Sequence, residues 1–421
     1  MVYVISKNGQ PLMPTNRYGK VHRLLKNKQA KVLKRCPFTI QLLYEPKTHI
    51  VQEVTLGQDT GSKHIGTACI ANDKVLYQSQ IDLNDQIKSK MDRRRGFRRL
   101  RRNRKTRYRK PRFLNRKKSI RKDRLPPSVK HKVQAHKDEI SFCEHILPIS
   151  KKVFEVSQFD TALMKNPALI NEKVKHWGYQ KGFNYEYGSR KEAVLNRDKY
   201  TCQICGKKHI RLEVHHIIFR SNGGTDDENN LITLCETCHK GVHDGTIILD
   251  KKPKKMNLKH ATHMSIIRSQ LLKAYPEAIE TLGFVTRVNR EHLFLEKDHY
   301  IDACVIASGG KEFEANDIIY QKKRVSKGDY QFTKGSRGQQ ILPVGKVYGF
   351  RKFDKVSYLG CECFIKGKRS RGNFVLMDIN NKTLDFSSIG GLKNPSYKKL
   401  KRVTARNSTL IEELSIVSML G

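Results

Sequence analysis

The chain is 421 residues long and carries 83 Lys and Arg against 40 Asp and Glu, a formal charge of +43. Such an excess describes a binder of polyanions, since each neutralised phosphate releases counterions; a solvated basic surface of ribosomal type is the plainer alternative. The opening Met1-Val2-Tyr3-Val4-Ile5-Ser6 is too short an apolar run for a secretion signal, and no stretch nears the roughly 18 apolar residues of a membrane span, so a soluble, cytoplasmic protein of two to four domains is expected.

In chain order, a short apolar strand at the N-terminus leads to a turn-like Pro11-Leu12-Met13-Pro14, a helical Lys/Arg-rich stretch from Tyr18 to Leu33 and an alternating strand from Phe38 to Tyr44. Three strands follow, Val54 to Gln58, His64 to Ile70 and Val75 to Ile81, turning at Gly61-Ser62-Lys63 and Asn72-Asp73-Lys74. Between Lys88 and Arg124 there are 21 Lys or Arg against Asp92 and Asp123 alone. This segment cannot build a core; it reads as a long helix lying along phosphates, or as a disordered basic arm. A helix from Val129 to about Ile146, a strand from Lys152 to Val156, a linker over 166–189 and a compact unit over 190–250 come next. A helix from Ser265 to Tyr275, a strand near Gly283 to Val288 and a helix from His299 to Ala307 precede a basic, β-rich region from Ile318 onward.

Ten cysteines include the pairs Cys202-Gln-Ile-Cys205 and Cys235-Glu-Thr-Cys238, and four thiolates at this spacing make a structural Zn²⁺ site rather than a disulfide framework. The pairs bracket Leu212-Glu-Val-His215-His216-Ile217 and Asn230, which follows a Gly223-Gly224 loop, and His239 and His243 stand four apart on a helix, where one face can grip one cation. A bare zinc knuckle would need none of these histidines.

This segment resembles the HNH nucleases and their ββα-metal fold. The resemblance implies that His216 is the general base, that Asn230 holds the loop orienting it, and that His215 and His239, with His243 as third ligand or orienter, bind a catalytic Mg²⁺. Many relatives have Asp in place of His215.

A carboxylate at a strand end, Asp59 in Gly57-Gln58-Asp59-Thr60-Gly61, is most often a turn former. Here Val153-Phe154-Glu155 and His299-Tyr-Ile-Asp302 follow it in order. Together they resemble the RuvC branch of the RNase H-like fold, which implies Asp59, Glu155 and Asp302 as Mg²⁺ ligands in two-metal hydrolysis, with His299 as assisting ligand or base. Asp298, Asp160 and Asp138 are lesser carboxylates, solvated or capping.

A split RuvC domain interrupted by an arginine-rich helix and then by HNH, in so short a chain with a literal Pro-Leu-Met-Pro, resembles IscB, the compact transposon-associated RNA-guided nucleases. The fold class implied is a multidomain α+β/α/β protein: a PLMP-type N-terminal domain over 1–52, RuvC parts over 53–85, 127–165 and 251–317, a bridge helix over 86–126, the linker, HNH over 190–250 and a C-terminal β-rich domain over 318–421. The partners implied are a structured guide RNA and target double-stranded DNA around one protein copy, with HNH cutting the guide-paired strand and RuvC the displaced strand in a prokaryotic cytoplasm. The bridge arginines Arg93, Arg94, Arg95, Arg98, Arg99, Arg101, Arg102, Arg104 and Arg107 would lie on the RNA backbone. In the C-terminal region Arg337, Arg351, Lys352, Lys368, Arg369 and Arg371 read equally as plain phosphate contacts. Other classes stay open: a protein-guided HNH endonuclease of homing or mobile-element type, and a catalytically silent RNA/DNA-binding protein.

Overall fold

Apolar residues at the N-terminus form β1 (Val2–Ile5), all four of them buried. In the computed structural model, which describes residues 1–46, 50–105, 125–157, 159–165, 183, 185–222, 224–249, 258–326 and 345–415 (main chain only for 101–105 and 162), β2 (Pro11–Thr15) lies antiparallel to it. Pro11-Leu12-Met13-Pro14 is therefore a strand, not a turn. It sits at the edge of a sheet ordered β2-β1-β4-β3, where proline's missing N–H costs no ladder bond, and the reversal falls earlier, at Gly9 with φ +86°. Helix α1 (Tyr18–Lys26) is also shorter than expected. Lys28 takes a left-handed φ of +54°, and the chain turns into β3 (Ala30–Lys34), whose residues pair with β4 (Thr39–Leu42).

The next three strands, β5 (Val54–Asp59), β6 (His64–Ala71) and β7 (Lys74–Asp82), form an antiparallel meander. Helix α2 (Ile87–Lys105) carries the arginine-rich run; residues 106–124, Arg107 among them, lie outside the described residues. Helix α3 (Pro127–Ile146) then leads into β8 (Ile149–Glu155), parallel to β5 in a register that sets Asp59 opposite Glu155.

Residues Phe159–Thr262 form a unit of their own, inserted in sequence into the larger unit of Met1–Gln158 and His263–Gly421. After the short α4 (Thr161–Lys165), the expected linker lies almost wholly outside the described residues. Helix α5 (Arg190–Arg197) starts at a Ser189 cap whose Oγ accepts from Glu192 N, and β9 (Leu212–His216) pairs antiparallel with β10 (Leu231–Cys235), followed at once by α6 (Glu236–His243).

Back in the larger unit, α7 (Lys259–Ala274) enters from the boundary and β11 (Ile279–Thr281) runs parallel to β8. The strand expected near Gly283 to Val288 is instead the helix α8 (Gly283–His292). Its β-forming residues Phe284 and Val288 face outward, 66% and 59% exposed, while Thr286 and Arg290, one turn apart, are buried. Tertiary burial of the polar pair overrides local strand propensity here. Helix α9 (His299–Ser308) follows, and Asp298 caps it through Oδ1 to His299 N at 2.7 Å.

The C-terminal region is β-rich, yet its first and last strands, β12 (Ile318–Arg324) and β17 (Thr409–Ser415), belong to the meander's sheet. Seven strands result, ordered β11-β8-β5-β6-β7-β12-β17, so the C-terminal domain of 318–421 is not separate at its ends. Between them β13 (Lys355–Tyr358), β14 (Cys361–Lys368), β15 (Phe374–Met377) and β16 (Lys401–Thr404) form a second sheet over its own core, which includes Val356, Phe374 and Leu376.

Both faces of the seven-stranded sheet are covered. Period-two alternation sends Val54 and Leu56 into a core with α3 and α7 residues such as Val133, Ile140, Ile267 and Leu271. Thr55, Gly57 and Asp59 point to the other face, where α9 packs. There a Cβ at Gly57 would stand 2.4 Å from the Ala303 carbonyl oxygen, and one at Gly66 1.8 Å from that of His299. These two glycines let α9 lie directly on the strands. Among the described residues, no helix is long and apolar enough to cross a membrane.

Candidate nuclease centres

Within the inserted unit, β9 and β10 place His215 beside Ile232 and His216 beside Leu231. Successive strand residues point to opposite faces, so the two histidines diverge. His215 is buried and meets His239 and His243 from α6; the three rings lie 4.7–4.9 Å apart, and one nitrogen of each can be chosen with all three within 4.8 Å of one another. Burial, then the neighbouring imidazoles, hold His215 down at about 4, so it is a neutral ligand at ordinary pH. Its Nε2 is buried without a hydrogen-bond partner, an orphan lone pair that a cation would satisfy. Glu213 holds His239 at Nδ1, 3.1 Å away, and Phe219 packs edge-on against His215.

This donor set is three imidazoles. It suits a borderline divalent ion such as Zn²⁺, Ni²⁺, Co²⁺ or Mn²⁺, and fits Mg²⁺ poorly, because Mg²⁺ demands oxygen ligands. The expected Mg²⁺ is not supported at this centre by the donors present.

His216 lies on the other face, with Nε2 2.8 Å from Oδ1 of Asp226. Arg220 reaches the same oxygen through Nη2 at 2.7 Å, and these bonds, His216's first, lower the Asp226 carboxyl. Asp226 escaped the reading of the sequence; its only signal is an acidic residue in the loop between His216 and Asn230. Asn230 is buried and ties that loop together: its Oδ1 accepts from Ile218 N at 2.9 Å, and its Nδ2 donates to Thr225 O at 2.8 Å and Ile218 O at 3.2 Å.

The four cysteines converge as the spacing expects, every Sγ within 4.8 Å of the others, with Cys205 exposed and the rest buried. Burial works to raise the Cys202 thiol, but backbone N–H groups of Cys205, Cys235 and Ile204 outweigh it and bring it down to about 6. Cys238, raised by burial and then by hydrogen bonds with the other three thiols, goes the opposite way, up to about 12, so four thiols share protons that a cation would displace, and the cluster is a zinc-capable Cys₄ site.

The larger unit gathers the other sequence-expected residues at the carboxyl ends of β5 and β8. Asp59 is buried and its Oδ2 lies 2.5 Å from His299 Nδ1, a bond that raises the imidazole against the pull of burial. Burial, with Asp59 next to it, pushes the Glu155 carboxyl up to about 7. Asp302, one turn into α9, is raised by burial, partly offset by its ion pair with Arg290 of α8. The three carboxylates influence one another but do not share a single ligating position: among the described residues, only the thiol and imidazole sets have three or more ligand atoms mutually within 4.8 Å. Oxygen donors are nonetheless the type a hard cation such as Mg²⁺ takes, and a bound cation would relieve the repulsion among them. Arg290 was not anticipated: it lies just beyond the Gly283 to Val288 segment read as a strand, on the part of α8 that this reading left without an element. Gly283 is tight against this site, where a Cβ would come within 3.0 Å of Glu155 Oε1.

The lesser carboxylates serve structure: Asp160 accepts from Leu163 N at 2.9 Å, and Asp138 pairs with Arg324. On α2, Arg93, Arg94, Arg95, Arg98 and Arg99 are exposed; Arg101, Arg102 and Arg104 lie on the helix with side chains outside the described residues. In the C-terminal sheet Arg351, Arg369 and Arg371 are exposed, Lys352 is half-buried, and Lys368 turns inward, its ammonium donating to the Gly345 carbonyl; Arg337 lies outside the described residues.

Comparison with known proteins agrees with this geometry. Residues 202–245 match the HNH endonuclease family, and residues 2–182 match the RRXRR protein family, whose name is spelled by Arg98-Arg99-Leu100-Arg101-Arg102. The chain is 35% identical over 66 residues to Anaredoxin of Nostoc sp. (strain PCC 7120 / SAG 25.82 / UTEX 2576), covering 16% of this chain and 87% of that protein. It is 29% identical over 102 residues to the Type IV methyl-directed restriction enzyme EcoKMcrA of Escherichia coli (strain K12), covering 22% of this chain and 29% of that enzyme. The chain is thus a multidomain α/β protein with an HNH endonuclease domain and a Cys₄ cluster. An RRXRR module followed by an HNH module is the IscB arrangement, and the chain belongs to the IscB family.

Proposed function

We propose that the protein is an RNA-guided DNA endonuclease with two independent cutting centres. The observation that carries this is the pairing of an HNH centre with a second, buried carboxylate centre on a different unit of the same chain, the exposed arginines of α2 lying between β7 and β8 in sequence. The sheet supports a RuvC-type, RNase H-like reading of the second centre: an antiparallel meander, then parallel strands, with acids at the ends of β5 and β8 and on α9.

In the HNH centre His216 takes the proton of the attacking water. With Nε2 engaged by Asp226, the accepting atom is Nδ1, and Asp226 stabilises the imidazolium that forms. Asn230 keeps the loop from drifting. A cation held by His215, His239 and His243 would stabilise charge on the leaving oxygen. In the other centre Asp59, Glu155 and Asp302 would hold Mg²⁺, with His299 orienting Asp59. HNH cuts the guide-paired strand of double-stranded DNA, the carboxylate centre cuts the displaced strand, and α2 lies along the guide RNA as a bridge helix.

The test is to purify the protein with any RNA it carries and to cut a DNA duplex matched to that RNA. His216→Ala should leave only displaced-strand nicks and Asp59→Ala only target-strand nicks. Loss of both cuts from either change in a folded, RNA-loaded protein contradicts two centres. The likeness to a methyl-directed restriction enzyme favours one alternative, an HNH endonuclease that needs no RNA and acts on modified DNA. Cutting that survives RNase treatment and follows base modification would establish that reading instead.

A further inference from the structure

Three loops of the second sheet converge on a pair of tyrosines. Tyr348 and Tyr397 lie face to face, ring centroids 4.1 Å apart and planes 6° from parallel. Tyr397 packs on the core of that sheet, so Tyr348 is the outer ring of the stack. It is 55% exposed, and its face turned away from Tyr397 can take a third planar group. Gly372 allows the arrangement, since a Cβ there would stand 2.8 Å from atoms of both rings.

The outer ring is held on strained backbone. Val347 N donates to Phe350 O at 2.9 Å and Phe350 N to Val347 O at 3.0 Å, around Tyr348 and Gly349 with left-handed φ of +46° and +83°. Such a turn prefers Asn or Gly at its first central position, and tyrosine there is unfavourable. Neither turn formation nor core filling accounts for an exposed aromatic ring at this point, whereas an aromatic ligand does.

The surroundings select the ligand. Residues 345–349, 369–373 and 396–402 carry seven Lys or Arg and no Asp or Glu. Lys346, Arg369, Arg371, Lys398 and Lys399 are exposed. Gly372 N donates to Arg369 O and Tyr397 N to Gly372 O, both at 2.9 Å, which fixes the arginine turn beside the rings; Arg402 reaches the Gly349 carbonyl through Nη1 at 2.8 Å. An open aromatic face among cations suits an unpaired nucleotide, whose base stacks while its phosphates meet the cations. A base inside a duplex is already stacked on both faces and offers only its edges. The second sheet holds no residue of either cutting centre, so a strand bound here is held rather than cut, which favours RNA over displaced DNA.

We propose that Tyr348, backed by Tyr397, stacks on an unpaired base of the guide RNA, with Arg369 and Arg371 on the adjoining phosphates. The inference rests on reading the protein as RNA-guided.

The experiment uses the full chain and the RNA that copurifies with it, transcribed in vitro. Tyr348→Asn removes the ring and relaxes the turn, so the melting transition of the larger unit should stay within about 3 °C of the parent. RNA affinity should fall about tenfold or more, the scale of one lost stack, with the slope of log Kd against log salt unchanged. Tyr348→Phe should bind within about twofold of the parent, because the ring and not the hydroxyl makes the contact. Arg371→Ala should instead lower the salt slope by about 0.7, the value for one phosphate of a single strand. Chemical probing of the loaded complex should find an unpaired nucleotide protected in the parent and reactive in Tyr348→Asn. RNA binding by Tyr348→Asn within about twofold of the parent, a loss that Tyr348→Phe shares, or a melting transition lowered well beyond that of the parent overturns the platform. Unchanged RNA binding with weaker binding of matched duplex DNA would assign the ring to DNA and overturn the RNA assignment. If no RNA copurifies and cutting survives RNase, the RNA-guided reading falls and the platform with it; if RNA-guided cutting stands while Tyr348→Asn changes nothing, only the platform falls.

Discussion

The two centres differ in how they are built. In the inserted unit every ligand comes from one stretch, Cys202 to His243, carried on a turn, two strands and a helix, with nitrogen and sulfur donors. The carboxylate centre draws on positions 59, 155 and 302, brought together by a seven-stranded sheet and a helix laid on it. A small unit with few apolar residues of its own needs a metal to hold it, whereas a site on a large sheet inherits its stability from the core beneath. Chain distance thus separates a site that metal folds from a site that folding builds.

That contrast breaks first if the Cys₄ cluster is dispensable. Cys235→Ser should remove the bound zinc and unfold residues 159–262, since structural zinc in small domains contributes on the order of 10 kcal/mol. Limited proteolysis should then cut this unit while the larger unit keeps its melting transition. A variant with full HNH activity and no zinc would erase the distinction.

Gly57 tests the other half. A valine there drives Cβ into backbone atoms of Ala303 and Ala307, 2.4–2.9 Å away, and α9 cannot yield without moving Asp302. The expected cost is about 3 kcal/mol in the melting of the larger unit, with loss of displaced-strand nicking and none of target-strand nicking.

Acid should act on the larger unit in a defined window. His136 on α3 is fully buried, and burial holds its imidazole at about 4 although Nδ1 bonds the Lys132 carbonyl at 2.8 Å. The folded value lies below the unfolded one near 6.5, so between these values the unfolded chain binds more protons. Its contribution is therefore constant above pH 6.5 and is lost as pH falls toward 4, by about 3 kcal/mol. Urea melts at pH 7.0, 5.5 and 4.5 should show His136→Gln losing less stability on acidification than the parent.

The smallest effect expected concerns ion choice. With zinc retained in the Cys₄ cluster, calorimetry should find Ni²⁺ or Mn²⁺ binding the imidazole centre at least about tenfold more tightly than Mg²⁺, and His215→Asp should narrow that gap. Equal affinities would mean that donor type does not distinguish the two centres.

The legibility of each part follows the same line of chain distance. Cys202, Cys205, Cys235, Cys238, His239 and His243 could be assigned from spacing alone, because two turns of helix or one tight turn leave little freedom in where their side chains go. The meander over 54–82 and the helix at His299 were likewise readable from period and turn residues. Long-range packing decided the remainder. Gly283 to Val288 became a helix because the carboxylate pocket buries Thr286 and Arg290, a contact that no local window contains. Pro11-Leu12-Met13-Pro14 became a strand because an edge was open to it beside β1, and β12 and β17 joined a sheet begun more than two hundred residues earlier. Asp226 at His216 and Arg290 at Asp302 arise only when the chain has folded back on itself. Residue type and spacing determine which chemistry a chain can hold. Which groups stand at bonding distance is set by pairing register and burial, and those depend on the whole core.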